Sequence, residues 1–252
     1  MFDPPLALAS LSGRSDATWA RAGLPYVGCA FMGGIAICPE TREAARAMVA
    51  RDREEFLPDD PIAFIERNFR TLQETPLRPA INVRSVERAP LVQIAECCRA
   101  YDAILEINAH CRQEEMCAVG AGETLLEDLD ALTSAVEAAA GCGPDVSVKV
   151  RAEIPSIDLG ETASRLEAAG ASAIHVDAMD TPDAIAEVVD ASDLYVIANN
   201  GVRDAGTTRQ YLDRGADAVS IGRAWDRPPV LAAVARTIED DRATIDRKPS
   251  PR

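Results

Sequence analysis

Leu194–Gly201, LYVIANNG, and Ala216–Arg223, ADAVSIGR, decide the fold. Each is a short apolar, β-branched run that stops at glycine and is followed by a helical pattern. Glycine lets backbone N–H groups close on an anion, and a helix N-terminus behind it adds the positive end of its dipole. In a (β/α)8 barrel the loops after the seventh and eighth strands commonly form a phosphate site of this kind. Asn200, Gly201, Gly222 and Arg223 are therefore expected to hold the phosphate of a cofactor or substrate.

Outward from these two runs, the whole chain alternates short apolar segments with helical patterns, the order of a parallel sheet wrapped by helices. Predicted strands are Leu6–Ala9, Tyr26–Ala30, Ala80–Val83, Ala103–Ile107, Val146–Val150, Ala173–Val176, Leu194–Ala198 and Ala218–Ile221. Alanine-rich amphipathic helices are expected over Leu91–Arg99, Thr124–Ala140, Leu159–Ala169, Ala184–Val189 and Thr207–Arg214. The stretch Phe31–Pro76 is too long for a simple loop. Its helical patterns at Thr41–Phe56 and Ile62–Gln73 predict an elaborated second βα unit, with Met32, Gly33 and Gly34 on the functional rim. The expectation is one α/β domain, a single (β/α)8 barrel over residues 1–240, with a last helix at Pro229–Asp240 and a frayed polar tail at 241–252.

Composition sets the class. The 252 residues are 47% hydrophobic, with no apolar run long enough to cross a bilayer and no secretion signal at the start. A cytoplasmic protein without a membrane partner is expected. Seven cysteines, none spaced CxxC, give no zinc or iron–sulfur ligand set, so no metal is expected and most thiols should be small core hydrophobes. The net charge is -15, with two lysines, Lys149 and Lys248, against twenty-four arginines. An acidic, lysine-poor surface is the pattern of adaptation to a salty solvent, and composition bias toward arginine gives the same pattern. Either origin argues against a generic nucleic-acid surface, since phosphate neutralisation needs clustered cations.

Polar side chains at the carboxyl ends of barrel strands face the active site. In strand order the candidates are Ser10 and Ser12, Met32, Asn82 and Arg84, Asn108 to Cys111, Lys149 and Arg151, His175 and Asp177, then Asn199. Lys149 and His175 matter most, because the barrel's one lysine and one of only two histidines sit at matching ends of adjacent strands.

The fourth strand runs into EINAHCRQEEMCAVGAGETLL, Glu106–Leu126. This segment resembles the NxGCP…GxxLL signature of the dihydrouridine synthases, flavin enzymes that reduce uridine in transfer RNA. Asn108 and Cys111 match its Asn and Cys, and Gly122, Leu125 and Leu126 match its downstream part. Other pieces agree in order. ASLSGRSD, Ala9–Asp16, is similar to APMAGVTD, INV at Ile81–Val83 to VQL, VKVR at Val148–Arg151 to VKIR, and IHVDA from Ile174 to VHGR. IANNG and IGRA resemble the last two FMN-phosphate segments. The chain differs at His110, where the motif has glycine, and at Arg112, where it has proline, and no helical domain of the kind that follows the barrel and grips transfer RNA is expected here. It is in that sense similar to a short, archaeal-type form of the family, which is related to dihydroorotate dehydrogenase.

The resemblance implies FMN as cofactor, with a pyrimidine substrate, transfer RNA as a partner and a transient nicotinamide or other electron donor. It implies that Cys111, Lys149 and His175 are catalytic, Cys111 as the general acid that protonates one carbon of the uracil double bond as hydride reaches the other. Ser10, Leu11, Asn82, Lys149, His175, Asn199, Asn200, Gly201, Gly222 and Arg223 would hold the cofactor, and Asn108, His110 and Arg151 the substrate. Three other readings stay open: a free-pyrimidine or dihydroorotate-type dehydrogenase, a flavin-free phosphate-binding lyase of the aldolase kind with Lys149 as Schiff-base nucleophile, and a binding protein that has lost catalysis.

Overall fold

The structure, a computed structural model, describes residues 1–178 and 181–245. Its strands are β1 Leu6–Leu8, β2 Cys29–Ala36, β3 Arg78–Arg84, β4 Ile104–Asn108, β5 Val146–Arg151, β6 Ala173–Asp177, β7 Tyr195–Asn199 and β8 Ala218–Ile221. They pair in chain order, all parallel, and β8 closes on β1. The helices are α1 Ala17–Ala22, α2 Pro39–Val49, α3 Pro61–Leu72, α4 Arg88–Ala100, α5 Glu114–Ala118 and α6 Glu123–Glu127. They continue with α7 Leu129–Ala140, α8 Leu159–Ala168, α9 Ala184–Ala191, α10 Ala205–Leu212 and α11 Pro228–Ile245. This is the expected (β/α)8 barrel, and α2 and α3 are its elaborated second crossover.

Period-two alternation along the strands sorts the side chains. In β5, VSVKVR, Val146, Val148 and Val150 face outward into one apolar layer with Leu132, Val136, Leu159 and Leu166 of the helices. Ser147, Lys149 and Arg151 face inward. The lower half of the interior is plugged by Ala7, Cys29, Phe31, Ala80, Ile104, Ile197 and Ala218, all without exposed surface. Above this plug the inward positions turn polar, and that change of chemistry creates the site.

Several boundaries differ from the sequence expectation. β2 extends to Ala36, because Phe31–Ala36 continues as a buried strand through its two glycines. Met32 is thereby packed in the outer apolar layer, not on the rim. The pattern at Thr41–Phe56 stops at Val49, since Asp52 takes a φ of 62° and the charged Arg51–Glu55 offers no apolar face. Asp128 divides Thr124–Ala140 in two by accepting the Ala131 N–H at 3.0 Å, capping α7. α11 runs five residues into the expected tail, where Arg242 pairs with Asp3; the rest of that tail, 246–252, lies outside the described residues.

Candidate active site

A cavity of about 710 Å3 opens at the carboxyl ends of the strands, within the size range of small-ligand sites. Its floor is a hydrogen-bonded polar layer. Glu106 on β4, with no exposed surface, accepts from the Asn82 amide at 2.7 Å through Oε1 and from Ser147 Oγ at 3.3 Å through Oε2. The same Oε2 lies 2.6 Å from His175 Nδ1. On the far side of the ring, His175 Nε2 is 2.7 Å from Ser220 Oγ, which also accepts from Asn199 Nδ2 at 2.8 Å. With the Asn199 amide as donor, the Ser220 hydroxyl proton is free to point at Nε2. This arrangement suits a neutral His175 with its proton on Nδ1, facing Glu106.

Charge follows from this layer. Burial alone would raise the Glu106 carboxyl, but His175, the Lys149 charge and the Asn82 amide hold it below the usual carboxylate value. Burial and Lys149 push His175 down against the pull of Glu106. Lys149, only 4% exposed, is lowered by burial and resisted by Glu106 and Asp177. Among the described residues it makes no hydrogen bond and no ion pair, so its donors are uncommitted at the base of the cavity.

His175 corrects an expectation. Expected in contact with a bound ligand, it is fully buried, both ring nitrogens are engaged, and its ring packs at a tilt against Phe31, with centroids 5.0 Å apart, below the cavity. The inward position of β6 that reaches the cavity is Asp177, one alternation higher. The expected direct contact therefore gives way to support from beneath.

Cys111 sits on the loop after β4, half-buried and lining the cavity. Asn108 holds this loop. Its Oδ1 accepts from the backbone N–H of Cys111 at 2.9 Å and of His110 at 3.2 Å, while its Nδ2 donates to Asn82 Oδ1 at 2.9 Å. Gly122 closes on the loop from the other side. It has a φ of 62°, a Cβ there would lie 2.1 Å from the Cys111 carbonyl oxygen, and Glu123 N–H donates to that oxygen at 2.9 Å. The spacing from the cysteine to the downstream glycine thus has a mechanical reason. Asn82 is set similarly by close approach: a Cβ on Gly34 would meet Asn82 Oδ1 at 2.6 Å.

The upper wall carries most of the remaining charge. His110 Nε2 lies 2.6 Å from Asp177 Oδ2, Asn200 Nδ2 donates to Asp177 Oδ1 at 2.9 Å, and Arg151 approaches the same carboxylate at 3.5 Å. Burial would raise Asp177, but His110, Asn200 and Arg151 hold it well below the usual carboxylate range. Burial takes His110 down to about 4 despite Asp177. Arg84, 4% exposed, pairs with the buried Glu55 at 2.7 Å and donates to Ser12 at 2.6 Å.

Of the expected ligand contacts, Ser10, Leu11, Asn82, Asn108, His110, Cys111, Lys149, Arg151, Asn199, Asn200, Gly201, Gly222 and Arg223 all line this one cavity. The two corners after β7 and β8 that were expected to hold a phosphate face it together. Sequence reasoning missed Glu106, whose inward parity with Asn108 was the available signal. It also missed the exposed arginines Arg53, Arg112 and Arg203, which line the mouth with Arg223. Loops bring those four together, and no local pattern announces it. A second depression, of about 660 Å3, lies at the opposite end around Arg78, Asp145 and Asp217. It gathers no comparable cluster of inward polar side chains.

The chain is similar to known proteins along most of its length. It is 25% identical over 252 residues to a probable tRNA-dihydrouridine synthase of Rhodobacter capsulatus, covering 94% of this chain and 72% of that protein. It is 24% identical over 235 residues to an uncharacterized protein of Methanocaldococcus jannaschii, covering 88% and 89%. Among solved structures, morphinone reductase in complex with tetrahydroNAD superposes with a TM-score of 0.65 at 14% identity, covering 92% of this chain and 86% of that one. The Amycolatopsis orientalis BexX/CysO complex gives 0.60 at 16% identity, covering 100% and 94%. At such identities the structural likenesses speak for the fold alone. The sequence profile described as Dihydrouridine synthase (Dus) matches residues 55–249, well over half of the chain, and with the Cys111 loop and its Gly122 buttress in place, the protein belongs to the dihydrouridine synthase family.

Proposed function

We propose that the protein is an FMN-dependent oxidoreductase that reduces the carbon–carbon double bond of uridine in RNA. The residues present fit the cofactor. A Cβ on Gly222 would project into open space with only Leu11 Cδ2 at 3.8 Å, so backbone there is free to approach a phosphate alongside Asn200, Gly201 and Arg223. Ser10, Leu11, Asn82 and Asn199 would line the ring and its arm, and the uncommitted Lys149 offers a cation to an electron-rich ring edge. When bound, FMN supplies the hydride.

The chain's own residues supply the proton and the substrate's position. Cys111 holds a thiol proton at the cavity wall, on a loop clamped by Asn108 and Gly122, ready for the second carbon of the double bond. One observation carries the RNA assignment. On a protein of net charge -15, seven cations and only two carboxylates, Glu153 and Asp177, line this cavity. The four exposed arginines at its mouth, Arg53, Arg112, Arg203 and Arg223, form no ion pair among the described residues. A local positive field on an acidic body concentrates a polyanion at the site.

The test is reconstitution. The full chain is loaded with FMN, gel-filtered, reduced, and mixed with an unmodified transfer RNA transcript or with free uracil. Reoxidation by the transcript, lost in Cys111→Ala, is the expected result. Failure to retain FMN, or reoxidation by uracil alone, would overturn the proposal, the latter in favour of a free-pyrimidine enzyme.

A further inference from the structure

Two departures from the quoted family motifs meet in space. The cysteine motif has glycine where this chain has His110, and VHGR has arginine where it has Asp177. These residues, at the ends of β4 and β6, are joined by the 2.6 Å contact between His110 Nε2 and Asp177 Oδ2. Asp177 is itself fixed by Asn200 at 2.9 Å and Arg151 at 3.5 Å. An ionised carboxylate only accepts, and its 2.6 Å contact is far shorter than the 3.4 Å from the Arg151 guanidinium to the same nitrogen, so the proton of the neutral ring is on Nε2 and the lone pair is on Nδ1. His110 is 25% exposed on its side chain and lines the cavity. Among the described residues nothing bonds its Nδ1. The charged groups acting on its ring besides Asp177 are Lys149 and Arg151, both cations and both donors. The cavity therefore presents a neutral acceptor beside fixed donors.

We propose that His110, held in its Nε2–H form by Asp177, is a specificity-determining acceptor that reads an imide N–H, so that the site takes a uracil-type ring and rejects a cytosine-type ring. This deepens the reading of a pyrimidine substrate and rests on it. An imide edge offers carbonyl, N–H, carbonyl; cationic donors suit the carbonyls, and only a neutral acceptor suits the N–H between them. In cytosine the same ring atom carries a lone pair. Facing His110 Nδ1, it would leave two desolvated acceptors unpaired, which is how a site built to hydrogen-bond one ligand rejects its analogue. Asp177 acts through His110 and is a positioning residue.

Two measurements on the full-length chain test this. Nitrogen-15 NMR of the two histidines, with His110→Gln to assign them, should show His110 unprotonated at Nδ1 near neutral pH. Titration calorimetry with uridine 5′-monophosphate and cytidine 5′-monophosphate should show about tenfold or greater preference for the uridine nucleotide. His110→Ala should bring the ratio close to one, Asp177→Asn should lower it, and His110→Gln, whose side-chain oxygen also accepts, should keep part of it. A protonated Nδ1, no binding of either nucleotide, a wild-type ratio near one, or a ratio unchanged in His110→Ala would overturn the proposal. If His110→Ala does not fold, the wild-type tautomer and ratio decide. Failure of the flavin reading registers separately, as FMN that is not retained, and leaves both measurements possible.

Discussion

Glu106 and His175 form a 2.6 Å contact in the centre of the barrel, with neither side chain exposed. Removing one partner strands the other. Glu106→Leu would leave His175 Nδ1–H and the Asn82 amide without an acceptor and Lys149 without its counter-charge on β4. A loss of roughly 3–5 kcal/mol is expected, as for other broken buried pairs, and a smaller loss for Glu106→Gln, which still accepts. Urea unfolding of the three proteins measures this. A Leu variant within about 1 kcal/mol of wild type would show the pair to be dispensable to the fold.

That pair also marks where the sequence stopped being legible. The barrel itself was readable, since β5 VSVKVR and its neighbours alternate apolar and polar residues and glycine or proline marks the turns. The lining of the cavity was readable where a polar residue lies at or near the end of a strand, as at Asn199 and Lys149. Depth within the barrel was not. His175 and Asp177 have the same parity on β6, and only the shear of the closed sheet places one beneath the cavity and the other in it. Of the arginines at the mouth only Arg223 was readable: Arg53, Arg112 and Arg203 come from separate loops, and composition had pointed away from a generic nucleic-acid surface.

Gly122→Ala should disturb the Cys111 loop selectively. At a φ of 62° a side chain is strained, and this one would meet the Cys111 carbonyl oxygen at 2.1 Å, so backbone must shift. A cost on the order of 1–3 kcal/mol is expected. FMN retention should stay near wild type, because the corners proposed for its phosphate follow β7 and β8, while reoxidation by transfer RNA falls. Unchanged reoxidation would mean that the position of Cys111 does not matter to turnover.

The arginines at the mouth should be visible in salt dependence. If Arg53, Arg112, Arg203 and Arg223 meet phosphates, each alanine replacement lowers the slope of log affinity against log salt by about 0.7–0.9. Flavin binding should follow only Arg223, which belongs to the phosphate corner. Filter binding of a transfer RNA transcript across a salt series makes the measurement, and a quadruple variant with the wild-type slope would remove the RNA assignment.

Acid stability should report the two histidines. The fold keeps both neutral: burial takes His110 to about 4 and lowers His175 as well, from an ordinary value of 6.5. Below about pH 6.5 the unfolded chain therefore binds more protons than the native one, and stability falls as pH falls, by at most about 1.4 kcal/mol per pH unit for each ring. Above that value both states are neutral and this contribution is flat. Asp177 acts in a lower window, since its depressed value stabilises the fold above the ordinary 3.8 and is lost only as pH drops through and below it. Protonation of the many surface carboxylates relaxes self-repulsion over part of the same range. That effect is common to wild type and variant, so the difference between them isolates one ring. His110→Gln should lose part of the slope between pH 6.5 and about 4 and leave any stability difference at pH 8 unchanged down to pH 7. Urea midpoints at pH 8, 7, 6 and 5 decide it, and parallel curves for the two proteins would show that His110 is not held neutral by the fold.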